Sequence, residues 1–128
     1  AEMNMISEPV VERRQHYRLS RPQLYLRHLG HVFHTVEWSY GGFVVEDKTS
    51  LLPAGALLTI DGLTDEDTYR RGRSPFTVDI RARVMRVLAE QKQAALTCLK
   101  LDDAAYRILN AIENGTNPAR AYPAGSRP

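Results

Sequence analysis

Apolar and polar residues alternate along much of this chain. Leu24 and Leu26 are interleaved with Gln23, Tyr25 and Arg27. After a turn at Leu29-Gly30-His31, Val32, His34, Val36 and Trp38 define one face of a second segment, and Phe33, Thr35, Glu37 and Ser39 the other. A period of two marks half-buried strands. Gly41-Gly42 interrupts the pattern, a third short strand runs over 43–45, and Leu52-Pro53-Ala54-Gly55 signals a turn before a strand over 56–60. The polar stretch 61–75 reads as a loop. Phe76, Val78, Ile80, Ala82 and Val84 then give the cleanest alternation of all.

Residues 83–101 admit two readings. Ala, Leu, Gln, Glu and Lys give them helical propensity. Their apolar stripe is broken by Gln91 and Lys92, so a hairpin turning over 90–93 fits as well. The last element is unambiguous. Asp102 or Asp103 can cap a helix with Ala105, Ile108, Leu109 and Ile112 at i, i+3, i+4 and i+7, and Gly115 stands just past its end. Five to seven short strands followed by one amphipathic helix point to a mainly β protein, a small antiparallel barrel on which the helix buries its stripe. The expected organisation is a flexible lead-in over 1–11, one domain over 12–114 and a loose tail over 115–128.

Composition narrows the class. The 128 residues, 43% hydrophobic and 25% charged, suit one domain with a real core. The single cysteine, Cys98, cannot form an internal disulfide and reads as a small core residue. No apolar run approaches the length of a membrane span, and the N-terminal residues lack a signal-peptide core, so the expectation is cytoplasmic or cytoplasm-facing, without membrane insertion. His28, His31 and His34 are spaced by three, which alternates faces on strands, so no metal is expected. No nucleophile elbow, phosphate loop or acid–base pair stands out, and the chain is read as a non-enzyme needing no cofactor.

The formal net charge is only +2, yet Glu12 to Arg21 holds Arg13, Arg14, Arg18 and Arg21 with His16. Arg14-Gln-His-Tyr-Arg18 is an RxxxR spacing, and Glu37-Trp-Ser-Tyr-Gly-Gly42 follows about twenty residues later. On their own, Arg14 and Arg18 describe a solvated basic linker. The pair of motifs resembles the PilZ domain family, bacterial receptors for cyclic di-GMP, which carry RxxxR before the first strand and [D/N]xSxxG between the second and third. LLPAGALLTI resembles that family's turn into a strand, and the strand from Val78 its ARV-containing strand, so the resemblance covers roughly 12–114.

The resemblance implies a six-stranded antiparallel barrel with one C-terminal helix, and it turns 83–101 into two strands. It implies a ligand site of Arg14, Arg18, Glu37, Ser39 and Gly42, with Arg13 adding local charge. The chemistry suits the ligand. Arginine grips phosphate bidentately and also donates to the O6/N7 edge of guanine. Ser39 offers a hydroxyl, Glu37 an acceptor for guanine N–H groups, and Gly42 a close backbone approach. The implied role is a receptor that couples the second messenger to a partner protein or attached domain in motility, exopolysaccharide or pilus control. Glu37 departs from the family's Asp or Asn and can equally pair with Arg14 or Arg18 and fill the site itself. The alternative is therefore a PilZ-like adaptor that has lost the ligand. Nucleic-acid binding is disfavoured, because only Tyr17, Tyr25 and Tyr40 are near enough to stack on bases.

Overall fold

The first hairpin shows how local sequence sets the architecture. Strand β1 (Leu24–His28) meets β2 (His31–Ser39) through Leu29 and Gly30, which both take positive φ, 51° and 81°. That geometry matches the right-handed twist of the strands it joins. A second tight turn leads to β3 (Gly42–Glu46), completing an antiparallel meander. The computed structural model describes residues 18–121.

Strands β4 (Leu57–Asp65), β5 (Phe76–Leu88) and β6 (Gln93–Leu101) form a second meander. Two seams join the meanders: β1 pairs with β4, from Leu24 opposite Asp65 to Arg27 opposite Gly62, and β3 pairs with β6, from Gly42 opposite Thr97 to Glu46 opposite Gln93. The result is a closed six-stranded antiparallel barrel in the order β1-β2-β3-β6-β5-β4. The protein is mainly β, as the alternation predicts. Its core is filled by inward side chains such as Leu26, Phe43, Ile60, Leu63, Ile80 and Val84.

Several expectations need correction. Strand β2 does not alternate from end to end. Thr35 pairs with Val45 but Glu37 pairs with Val44, so Val36 is an extra residue, a β-bulge. Phe33 and Thr35 point inward before it and Trp38 after it, which splits the expected Val32-His34-Val36-Trp38 face. The strand after the Leu52-Pro53 turn continues well beyond residue 60, to Asp65. The expected loop over 61–75 also contains a short helix, α1 (Glu66–Arg70), whose first turn is capped when Asp65 accepts the Thr68 N–H at 3.2 Å. Residues 83–101 are a hairpin, and Lys92 turns it with φ 57°. The tail is not uniformly loose: Pro118–Ala121 form a helical turn, α3, with Pro118 buried. The lead-in over 1–11 lies outside the described residues.

Helix α2 (Asp103–Glu113) closes one end of the barrel with Ala105, Ile108, Leu109 and Ile112, the predicted stripe. Asp102 is its cap. One carboxylate oxygen accepts the Ala105 N–H at 2.9 Å, the other the Asp79 N–H of β5 at 3.1 Å. A single side chain thus starts the helix and ties it to the sheet. At the connection between the meanders, buried Asp47 accepts the N–H groups of Leu51 and Leu52 at 2.9 and 3.0 Å, and Leu52 is buried in the core. Replacing Asp102 by Ala is expected to cost about 1–2 kcal/mol in urea unfolding, with Asp102→Asn recovering only part of it, since the amide oxygen restores the cap but the amide nitrogen cannot accept the Asp79 N–H.

Candidate functional site

The segment that enters β1 is held against β2 at three points. Leu19 forms an isolated antiparallel bridge with Trp38, exchanging two hydrogen bonds of 2.8 Å. The Trp38 indole N–H donates to the Pro22 carbonyl at 2.8 Å. The Leu24 N–H donates to the Thr35 hydroxyl at 2.9 Å. Trp38 is fully buried, so this anchorage rests on the barrel core. The antiparallel bridge sets Arg18 level with Ser39 and Ser20 level with Glu37. The second arginine of RxxxR and the EWSYGG segment, far apart in sequence, are thereby neighbours.

Each expected site residue has a definite environment, except Arg13 and Arg14, which lie outside the described residues. Arg18 is exposed and Glu37 half-buried, and neither makes an ion pair among the described residues, so Glu37 and Arg18 do not neutralise each other. Ser39 is only 2% exposed, and its hydroxyl accepts the Gly41 N–H at 3.1 Å, closing the β2–β3 turn. Gly42 is buried, and a Cβ there would run into the Leu96 backbone carbonyl of β6. The close approach that needs a glycine is thus made by the neighbouring strand. Glu37 and Ser39 do share the side of β2 opposite Trp38, because the bulge precedes all three.

Tyr40 extends the site in a direction the sequence does not signal. Its hydroxyl donates to the Glu113 carboxylate at 2.8 Å, and its ring lies 5.3 Å from Tyr106, both on α2. The next residue, Gly41, accepts the Cys98 N–H of β6 at 2.9 Å. The tip of the motif hairpin is therefore fastened to the helix and to the opposite seam. Burial first, and then the bond to Glu113 with its negative charge, hold the Tyr40 hydroxyl far above the usual phenol range.

Other concavities lie away from the tip of this hairpin. A cleft of about 730 Å³ opens between α1 and the loop after it, with Thr68, Arg71 and Arg73, and the corner from Gly115 to Pro118. Another of about 290 Å³ involves His31, His34, Glu46 and Lys48. The barrel interior holds a gap of only about 10 Å³ among residues such as Leu26, Phe33 and Ile60, so a ligand has to bind outside the barrel. Of the histidines, His28 is bonded to the Thr59 carbonyl at 2.9 Å, and His34 lies 5.9 Å from the Tyr25 ring. Among the described residues no group of three or more His, Cys, Asp or Glu is arranged to hold a metal ion.

Chemically, the hairpin and its strap offer a guanidinium and a carboxylate, neither in an ion pair among the described residues, beside a rigid turn. The first suits an anion or the acceptor edge of a base, the second a pair of N–H donors. No protein-family model matches the chain, and no curated protein is significantly similar to it.

Two outcomes are expected. Gly42→Ala should lower stability by roughly 2 kcal/mol or more in urea unfolding, with or without any ligand, because the clash is with backbone. Ultraviolet titration should show a tyrosine ionising well above pH ~10, missing in Tyr40→Phe. The sign follows from the neutral phenol being favoured in the folded state. The contribution of Tyr40 to stability is whole below the unfolded value near pH ~10 and is lost as pH climbs through the raised one.

Proposed function

We propose that the chain is a bacterial cyclic di-GMP receptor domain of the PilZ type, acting on the cytoplasmic side and transmitting ligand binding to a partner protein or attached domain. The observation that carries this reading is the Leu19–Trp38 bridge, which sets the second arginine of RxxxR level with the serine of EWSYGG. Leu19, the residue that follows RxxxR, is joined to Trp38 of the second motif by two main-chain hydrogen bonds on a closed six-stranded barrel. Arg14 and Arg18 grip phosphate and guanine, Glu37 accepts guanine N–H groups, and the rigid turn of Ser39 and Gly42 forms the floor.

In this reading the two-state element is the segment before Leu19. A ligand shifts it only by binding its ordered form more tightly than its open form. A second reading has a specific observation in its favour. The Ser39 hydroxyl is already engaged by the Gly41 N–H and is buried, and Glu37 replaces the shorter acid or amide of the family pattern. In that case the barrel is an adaptor without the ligand.

Calorimetric titration with cyclic di-GMP, with GMP and cyclic di-AMP as controls, separates the two. The receptor predicts binding selective for cyclic di-GMP, weakened roughly tenfold to a hundredfold in Arg14→Ala and in Arg18→Ala, the loss of one charge-assisted contact. A silent titration with folded protein retires the receptor in favour of the adaptor. Binding regained in Glu37→Asp would then identify the longer acid as the cause.

A further inference from the structure

The outer face of β4, β5 and β6 adjoins the site above, with Thr97 opposite Gly42, but supplies none of the residues assigned to it. Register aligns Thr59, Arg81 and Lys100 in one row across these strands and Leu57, Arg83 and Thr97 in the next, with Arg86 opposite Ala95 beyond them. Bulges between Arg81 and Ala82 and between Val84 and Arg86 break the alternation, and Leu99 and Met85 stand exposed beside them. Leu57, Met85 and Leu99 are 65%, 54% and 53% exposed, high values for large aliphatic side chains. Four cations share this face. Arg81 is bonded to Asp79 at 2.8 Å, while Arg83, Arg86 and Lys100 make no ion pair among the described residues. Nearby acids at the start of α2 are already occupied: Asp102 accepts two backbone N–H groups, and Asp103 is paired with Arg107 at 2.8 Å.

Shape limits what can cover such a face. In a closed barrel these strands are paired on both sides, so a peptide strand has no edge to add to. None of these residues lines the clefts described above. The large exposed residues here are aliphatic, so nothing offers a stacking platform for nucleic-acid bases. Aliphatic side chains interleaved with guanidinium and ammonium groups on an outward-curving surface do match one partner. An anionic bilayer accepts Leu and Met at its headgroup boundary and pairs its phosphates with Arg and Lys. We propose that the β4–β5–β6 face is a peripheral docking surface for an anionic phospholipid membrane. It is independent of the cyclic di-GMP reading and uses none of its residues.

The test is co-sedimentation of the full chain with vesicles of phosphatidylcholine alone or mixed with phosphatidylglycerol. Binding is expected only to the mixed vesicles, and to weaken with salt. Arg83→Ala and Arg86→Ala should each lower partition about fivefold, and together roughly 25-fold, from about 1 kcal/mol for each basic residue at the surface. Leu57→Ser combined with Met85→Ser should also lower it with charge unchanged, which bulk electrostatic attraction does not do. Circular dichroism checks that each variant is folded. The proposal is overturned by failure to bind the mixed vesicles, by indifference to Arg83 and Arg86, or by indifference to Leu57 and Met85. Tighter binding to a single-stranded oligonucleotide than to the vesicles overturns it in favour of a nucleic-acid surface.

Discussion

One extra residue in β2 governs the arrangement around it. The bulge at Val36 shifts the register between β2 and β3, and every side chain after it changes face. Without it, continued alternation from inward Phe33 and Thr35 would turn Trp38 to solvent and bury Glu37. With it, Trp38 enters the core, its indole reaches the Pro22 carbonyl, and its backbone pairs with Leu19. The same shift leaves Glu37 half-buried and unpaired among the described residues. The core, the entry of the chain into β1 and the chemical character of the hairpin all rest on this one irregularity.

The sequence reveals most where local patterns and burial agree. Leu29-Gly30, the run from Phe76 to Val84 and the stripe of α2 read correctly because each carries its own periodicity or turn chemistry. The bulge is invisible because it lies in partner register and not in residue type. Helix α1 escapes notice for a different reason: it buries no residue and has no apolar stripe to detect. Its support is an Asp65 cap, the i,i+4 ion pairs Glu66–Arg70 and Asp67–Arg71, and the Tyr69 ring stacked on Tyr25 of β1 at 4.2 Å. In the β5–β6 hairpin, pairing along both flanks of β6 outweighs a helical propensity worth tenths of a kcal/mol per residue.

For the candidate site, residue types were legible and their surroundings were not. The resemblance makes Ser39 a ligand contact until the turn to Gly41 is known, and Gly42 a close approach to the ligand until Leu96 is seen beside it. The tie from Tyr40 to α2 gave no signal, since Glu113 lies seventy-three positions away in the chain. Arg18 is the opposite case. It lies outside every named strand, yet the Leu19 bridge ties it to β2. The hairpin and its strap belong to the first meander and the basic, aliphatic face largely to the second, so only the seams and α2 connect them mechanically.

Closure of the sheet has a further consequence for how the protein behaves in a crowded solution. Strands rich in Val, Ile and Leu with bare edges are templates for pairing between molecules. Here the edges are consumed by the β1–β4 and β3–β6 seams, which join residues about forty and fifty positions apart. Until those distant partners meet, the chain carries two open meanders, each with two exposed edges. Its exposure to aggregation is therefore concentrated in the time before closure, and slow-forming contacts of this kind lengthen that time. Once both seams are made, no strand edge of the barrel is left open for such pairing.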